Sequence, residues 1–285
     1  MESLVEEIAA RWGGGMIQPS PLASADPGSA LMQARGLSLS FGGLKAVSDF
    51  SLTLPKNGLS GLIGPNGAGK TTIFNILTGV YRPDCGELLL ESRNLIGSKP
   101  HVIAASGISR TFQNIRLFGE LSVLDNVRLG GQIRHPLGVF RTLLRGRGFL
   151  NCEARLTDRA FQLLDVLGLA DLADSPATSL SYGHQRRLEI ARALATSPKV
   201  LLLDEPAAGM NSQEKVSLAE TIRRLPKEFD VSVLLIDHDM GLVMGVCDQI
   251  TVVDHGVVIA HGPPHQIQND QRVIAAYLGE PTADD

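Results

Sequence analysis

Cysteine is scarce in this 285-residue chain. Cys85, Cys152 and Cys247 are odd in number and far apart, which excludes a disulfide framework and points to a reducing compartment. None stands in a C-x-x-C pair or a Cys/His cluster, so structural zinc has no ligand set. A basic excess is also missing. The chain has 26 Lys and Arg against 30 Asp and Glu, a formal charge of −4. No global positive field singles out nucleic acid as a partner. No run approaches the ~18 consecutive apolar residues of a membrane-crossing helix. The start, Met1-Glu2-Ser3-Leu4-Val5-Glu6-Glu7, is acidic and lacks the continuous apolar stretch of a secretory leader. These absences lead us to expect a soluble, cytoplasmic chain that meets a membrane only through a partner. Apolar residues at 44% suffice for a core.

Composition divides the chain. Residues 3–12 can form one amphipathic helix with Leu4, Ile8 and Trp12 on a face, and residues 13–33 have the Gly, Pro, Ser and Ala content of a linker. A flexible extension over 1–33 and a domain from Ala34 to residue 280 are therefore expected, with 281–285 a polar tail. Strands are expected at 37–41 and 50–54, joined through Gly42-Gly43, at 87–90, and at 108–113 ending on Gln113. Residues 122–198 look mostly helical. Helices at 123–129, 153–167 and 184–196 are suggested by Ser122 as a cap, by Gly168 as a stop, and by charges on one face of the third. The apolar runs 200–203 and 231–236 are those of strands buried on both faces. Residues 251–253 and 257–260 flank Asp254-His255-Gly256 as a hairpin. Residues 128–150 carry Arg128, Arg134, Arg141, Arg145 and Arg147 and no acid. That is either a solvated loop or a surface for the inner leaflet or an acidic partner. The pattern is α/β with a helical insertion.

Two motifs carry the chemistry. Gly64-Pro65-Asn66-Gly67-Ala68-Gly69-Lys70-Thr71 matches G-x-x-x-x-G-K-[ST]. An apolar strand precedes it at 59–63 and a helix follows at 71–78, closed by Gly79. That is the context in which backbone N–H groups and a helix N-terminus converge on phosphate oxygens. Later, Leu201-Leu202-Leu203-Asp204-Glu205 ends a strand in two carboxylates. Ligands of open parallel sheets bind beyond the carboxyl ends of the strands, where both motifs fall. Asp204 suits Mg²⁺, directly or through water, with the Thr71 hydroxyl as the other anchor. Glu205 can polarise an attacking water. Two further segments gain weight from this company. Ser179–Gln185 opens a helix with Ser and Gly at its anion-binding end, and Asp237-His238-Asp239 follows the last apolar run.

Together these residues resemble the nucleotide-binding subunit of an ABC transporter. The order 64–71, Gln113, 180–185, 201–206 and His238 is similar to that family's motif order over about residues 34–280. Finer strings resemble one branch, the ATP-binding subunits of importers for branched-chain and other hydrophobic amino acids. They are Arg110-Thr111-Phe112-Gln113, residues 188–194, Glu205 to Asn211, His238-Asp239-Met240 and the ending 273–279. The resemblance implies a P-loop NTPase core of the ABC ATPase type, with an antiparallel β subdomain and a helical subdomain at about 114–198.

The resemblance further implies ATP and Mg²⁺ as ligands, and it assigns roles residue by residue. Phe41 stacks on adenine and Val47 lines the same face. Gly64, Pro65, Asn66, Gly67, Ala68, Gly69, Lys70, Thr71 and Thr72 hold the phosphates. Thr71, Gln113 and Asp204 hold the metal, and Glu205, Gln113 and His238 carry hydrolysis. Ser181, Gly183 and Gln185 bind ATP held by a second ABC ATPase subunit, identical or different, and Asn211 lies in the loop that touches the partner's site. The implied partners are that subunit, integral membrane permease subunits met near Gln113 and the basic insertion, and indirectly a solute-binding protein, with no nucleic acid. The implied place is the cytoplasmic face of the inner membrane. Tyr182 and His184 stand where the wider family commonly has Gly, and Asn211 stands where it has Asp. Urea or short amides are the alternative solutes. A soluble ABC ATPase of DNA repair or translation usually has two nucleotide domains or a coiled-coil insertion, and neither is seen here.

Overall fold

The computed structural model describes residues 30–113, 115–132 and 147–278. Two long strands, β1 (Ala30–Phe41) and β2 (Leu44–Pro55), open it. β3 (Leu59–Ile63) is buried along its whole length and delivers the chain to the glycine loop and α1 (Lys70–Leu77). β4 (Cys85–Leu90), β5 (Arg93–Asn94), α2 (Pro100–Ser106) and β6 (Ile108–Arg110) come next. The helical part comprises α3 (Val123–Gln132), α4 (Arg147–Val166) and α5 (Tyr182–Ala195). The chain then re-enters the core as β7 (Val200–Asp204), α6 (Ser212–Phe229), β8 (Ser232–Ile236) and α7 (Met240–Val246). It closes with β9 (Gln249–Asp254), β10 (Val257–Gly262), α8 (Pro264–Ile267) and α9 (Gln271–Leu278).

Two sheets result. One is antiparallel in the order β2-β1-β4-β5. The other has the order β10-β9-β3-β8-β7-β6 and is parallel except where β10 turns back on β9. Both faces of this second sheet are covered, which is why its strands read as unbroken apolar runs. Along β7 and β8, Leu201, Leu203, Val233 and Leu235 join the cluster under the helical part and α6. Val200, Leu202, Leu234 and Ile236 join the opposite cluster, under the antiparallel sheet and α1. The central sheet thus bonds the two outer parts to one core.

Local sequence explains the boundaries. Thr78 ends α1 by donating its hydroxyl to the Phe74 carbonyl at 2.7 Å, and the Gly79 N–H donates to the Ile76 carbonyl at 3.0 Å. α6, for which we derive no element from sequence, starts with a full capping box. The Glu214 N–H donates to Asn211 Oδ1 at 2.9 Å, and the Asn211 N–H donates to Glu214 Oε2 at 3.0 Å. Asn211 is therefore committed to this helix start.

Several expectations are corrected. β1 takes in residues 30–33, because Ala30 to Ala34 pair with Pro55 to Leu52, so the domain starts before Ala34. β6 ends at Arg110, and Gln113 lies beyond it in irregular chain. Arg128 is no part of a free basic face, since it pairs with Asp125 at 3.0 Å and with Glu153. Arg134, Arg141 and Arg145, the extension over 1–29 and the tail over 281–285 lie outside the described residues.

Leu202 is fully buried in the sheet. Leu202→Ala is expected to lower the unfolding free energy by about 2–5 kcal/mol, read from the urea midpoint. A loss below ~1 kcal/mol would mean that β7 is not sandwiched between two packed layers.

Candidate functional site

β3, β6, β7 and β8 run parallel, so their carboxyl ends share one edge. That edge carries the glycine loop after β3, residues 111–113 after β6, Asp204 and Glu205 at β7, and Asp237 and His238 after β8. Residues far apart in sequence meet because the sheet order interleaves them.

Main-chain packing shapes the glycine loop. A Cβ on Gly64 would lie 2.0 Å from the Val253 carbonyl oxygen, and one on Gly69 would lie 2.6 Å from that of Ala46. Only glycine permits these approaches, and Gly69 also takes φ +98°. The β9–β10 turn braces the loop from outside. His255 and Gly256 both adopt positive φ, as a tight hairpin requires. The Gly256 N–H donates to the Ala68 carbonyl at 2.9 Å, and the Ser48 N–H donates to Gly256 at 2.8 Å. Ala68 is buried beneath, Pro65 is half-buried, and Asn66, Gly67 and Thr71 are exposed, with Thr72 half-buried. Lys70 donates through Nζ to the carbonyls of Gly64 at 2.6 Å and Pro65 at 2.8 Å. Burial lowers its ammonium pKa below the usual value, and the charge of Glu205 opposes that drop. From α9, the Tyr277 hydroxyl is buried against the loop without a completed hydrogen bond. Burial raises this phenol, and the Gly64 amide facing it offsets part of the rise.

Glu205 is the hub of the edge. It holds φ +47°, a left-handed conformation that costs a side-chain-bearing residue about 1–3 kcal/mol. Its N–H bonds the Ile236 carbonyl at 2.8 Å, and its carbonyl accepts from the Ala208 N–H at 3.2 Å. Gln113 Nε2 donates to Glu205 Oε2 at 3.0 Å, and His238 Nδ1 stands 3.9 Å from the same oxygen. Asp237, nearly sealed from solvent, accepts from the Ala207 N–H at 3.2 Å and the Asp239 N–H at 2.9 Å. Desolvation raises its pKa, with these amides opposing. Asp237 thus fixes the turn after Glu205 and the backbone that presents His238. Asp204 is buried at the tip of β7. Its N–H donates to Thr111 Oγ1 at 3.2 Å, and its Oδ2 accepts from Arg110 Nη2 at 2.6 Å.

α5 begins with Ser181, whose hydroxyl accepts from the His184 N–H at 3.4 Å. A Cβ on Gly183 would lie 2.8 Å from Glu214 Oε1, so α6 presses on this helix start. Gln185 turns its amide back to the Leu180 carbonyl at 3.0 Å, so its side chain braces its own loop rather than facing outward. The charged face expected on α5 is partly internal. Arg186 and Glu189 are buried. Arg186 donates to the Phe112 carbonyl at 2.8 Å, to the Gln113 carbonyl and to Glu189 Oε2 at 3.3 Å, while the Phe112 N–H donates to Glu189 Oε1 at 3.2 Å. Desolvation raises the Glu189 pKa against the pull of the Phe112 amide and Arg186. This clamp ties α5 to the segment bearing Gln113. No local period marks it, because its targets are main-chain atoms more than seventy positions away.

Phe41 is exposed, its ring set edge-on to Tyr81 at 5.3 Å and 74°. Val47 is a correction. It is fully buried in the core beneath the antiparallel sheet, so it supports that face from within and does not line it. Ser181, Gly183 and Gln185 share no hydrogen bond with the glycine loop or with Glu205 among the described residues.

The arrangement fits a nucleoside triphosphate with Mg²⁺. The loop is a cradle that side chains would fill, a cation stands at its mouth, and the buried carboxylate of Asp204 sits on the same edge. Among the described residues no three His, Cys, Asp or Glu side chains gather to hold a metal alone. That suits Mg²⁺, which takes one or two carboxylates and completes its shell with phosphate and water.

Comparison with known proteins agrees. Residues 47–208 match the ABC transporter family, and residues 257–283 match the family described as branched-chain amino acid ATP-binding cassette transporter. The high-affinity branched-chain amino acid transport ATP-binding protein LivG of Escherichia coli (strain K12) is 46% identical over 250 residues, covering 88% of this chain and 98% of that protein. BraF of Pseudomonas aeruginosa, similarly described, is 44% identical over 255 residues, covering 88% and 98%. The crystal structure of the ADP conformation of MJ1267, an ATP-binding cassette of an ABC transporter, superposes with TM-score 0.75 at 29% identity, covering 88% of this chain and 99% of that one. The chain is an ATP-hydrolysing subunit of the ABC transporter family and belongs to its branched-chain amino acid transport branch.

Proposed function

We propose that this subunit powers uptake of branched-chain or other hydrophobic amino acids through a separate membrane permease. The observation that carries the reading is the meeting of Gln113, Glu205 and His238 on one edge beside the Lys70 loop. Lys70 and the loop amides bind and neutralise the triphosphate. Asp204 and Thr71 are the residues that would hold Mg²⁺, which supplies charge neutralisation to the phosphates when bound. Glu205 accepts a proton from the attacking water and aligns it, with Gln113 holding the Glu205 carboxylate. His238, exposed and close to Glu205, contacts the terminal phosphate. Phe41 offers its face to adenine.

Ser181 and Gly183 open α5, yet they serve no group of their own subunit's loop. We assign them to the triphosphate of a second ATPase subunit, so each site is completed across a dimer. No helix among the described residues is long and apolar enough to cross a membrane. In this reading the permease is a separate chain. Its docking place is the groove of about 750 Å³ between α2, β6 and the helical part, lined by Ile103, Phe112, Arg116, Leu117 and Phe118. Phe112 and Phe118 are exposed there, with Arg116 4.6 Å over one ring and Arg192 5.6 Å over the other. An apolar permease segment bearing an acidic side chain complements that lining. The groove adjoins Gln113, so its occupant bears on the residue that holds Glu205. The resemblance of sequence to LivG and BraF supports the choice of solute.

Glu205→Gln is expected to keep ATP affinity in calorimetry while phosphate release falls about 10²–10⁴-fold. Turnover near that of the unaltered chain would remove Glu205 from its role. Phe118→Asp is expected to leave ATP binding by the isolated subunit unchanged and to abolish co-purification with the permease. Undiminished co-purification would place docking elsewhere. In vesicles holding the permease, this subunit and the binding protein, ATP-dependent leucine uptake is expected, and uptake of urea without leucine would overturn the solute.

A further inference from the structure

Arg110 belongs to a string whose charge phosphate binding does not use, and although it lines the groove described above, its terminal nitrogens are turned to other elements of the chain. It ends β6, and its side chain is only 9% exposed. Nη2 donates to Asp204 Oδ2 at 2.6 Å and Nη1 donates to Asn75 Oδ1 at 2.7 Å. Nε is buried with no partner. The guanidinium carbon lies 5.4 Å from the Phe74 ring centroid and 5.7 Å from that of Phe112. Phe74 and Asn75 lie on α1, in the helix that Lys70 begins, and Phe112 precedes Gln113. One buried side chain therefore touches the phosphate-loop helix, the tip of β7 and the Gln113 segment.

A buried counter-ion needs one partner, whereas this fork uses two of its nitrogens on different elements. The carboxylate torsion of Asp is broad, so a metal-facing oxygen keeps its direction only if the other oxygen is held. Asp204 Oδ1 accepts no hydrogen bond from the described residues, while Oδ2 is committed to Arg110. We propose that Arg110 is a positioning residue for the metal carboxylate. It fixes Asp204 through Oδ2, leaves Oδ1 to the Mg²⁺ shell, and ties that orientation to the phosphate-loop helix through Asn75. This rests on the reading of Asp204 as the Mg²⁺ carboxylate given above. A planar fork can hold both anchors at once, and a lysine ammonium of similar reach cannot hold that geometry.

The test is calorimetry of ATP binding to the full chain with Mg²⁺ and with EDTA, which yields the ratio of the two dissociation constants. In Arg110→Lys, which keeps the charge, that ratio is expected to fall about 10-fold, the size typical of losing a group that orients a metal ligand. Asn75→Ala, which leaves the ion pair but frees it from α1, is expected to give a smaller fall in the same direction. The EDTA constant and Tm are expected to stay near those of the unaltered chain. A ratio unchanged in both variants overturns the role of Arg110. So does an equal loss with and without Mg²⁺ alongside a lower Tm, the signature of a merely structural ion pair. If Arg110→Lys does not fold, Asn75→Ala decides. A ratio of one in the unaltered chain overturns instead the metal assignment beneath the proposal.

Discussion

Main chain packed on main chain, with no room for a side chain between, is the constraint on which this structure turns. Gly64 lies against the Val253 carbonyl, and Gly69 and Gly256 both lie against that of Ala46. Two stretches far apart in sequence, the end of β9 with its hairpin turn and the start of β2, are thereby locked around the phosphate loop. Within the loop the Ala68 N–H donates to the Pro65 carbonyl at 3.2 Å, and the outside bracing spares the loop from holding its shape with more of the amides that a ligand needs. The remaining architecture serves to bring these two stretches to the loop. The antiparallel sheet supplies Ala46, the parallel sheet supplies Val253, and the buried β3 sets the loop between them.

Around that rigid loop the edge is wired by buried charges. Arg110 bridges α1 and β7, Arg186 and Glu189 clamp the Phe112–Gln113 backbone to α5, and Asp237 fixes the turns after β7 and β8. Each buried charge is expensive unless paired, and each is paired to another element of the edge or to its main chain. The result is that Gln113 is held from both sides: its backbone follows the helical part, and its side chain holds Glu205. A displacement of the helical part therefore reaches the Glu205 carboxylate through two hydrogen-bonded steps. That is a physical basis for coupling the groove beside Phe112 to the chemistry proposed for Glu205.

Sequence shows best the features that depend on neighbours in the chain. The loop at 64–71, the strand at 59–63, the apolar runs that became β7 and β8, and the hairpin around His255-Gly256 are local patterns, and the structure has them where the residues say. α6 was open to the same reading, since Asn211 and Glu214 form a capping box three residues apart, but its buried residues and internal Pro226 blur its period. What sequence could not show is which polar side chains end up inside. Arg186 and Glu189 look like the solvated face of α5, and only the position of a segment more than seventy residues upstream makes them a buried clamp. Val47 is put on the adenine face by the resemblance alone, and the β1–β2 register, which carries several shifts, turns it into the core instead. Arg110 sits in a string that identifies the branch, yet its partners lie on two other elements.

The helix start at Ser181 carries the argument one step further. Anion-binding ends of helices are stabilised by nearby negative charge, yet the group nearest Gly183 is the carboxylate of Glu214, which is already held by the Asn211 N–H. Ser181 is exposed. An exposed serine beside a buried glycine and a restrained carboxylate is consistent with a surface that meets phosphate only on assembly. In the proposed dimer, closure would place that surface over the partner's triphosphate and load α5, whose Arg186 grips Gln113. Occupancy of one site would then be felt at Glu205 of the other, and the same movement would bear on the groove proposed for the permease.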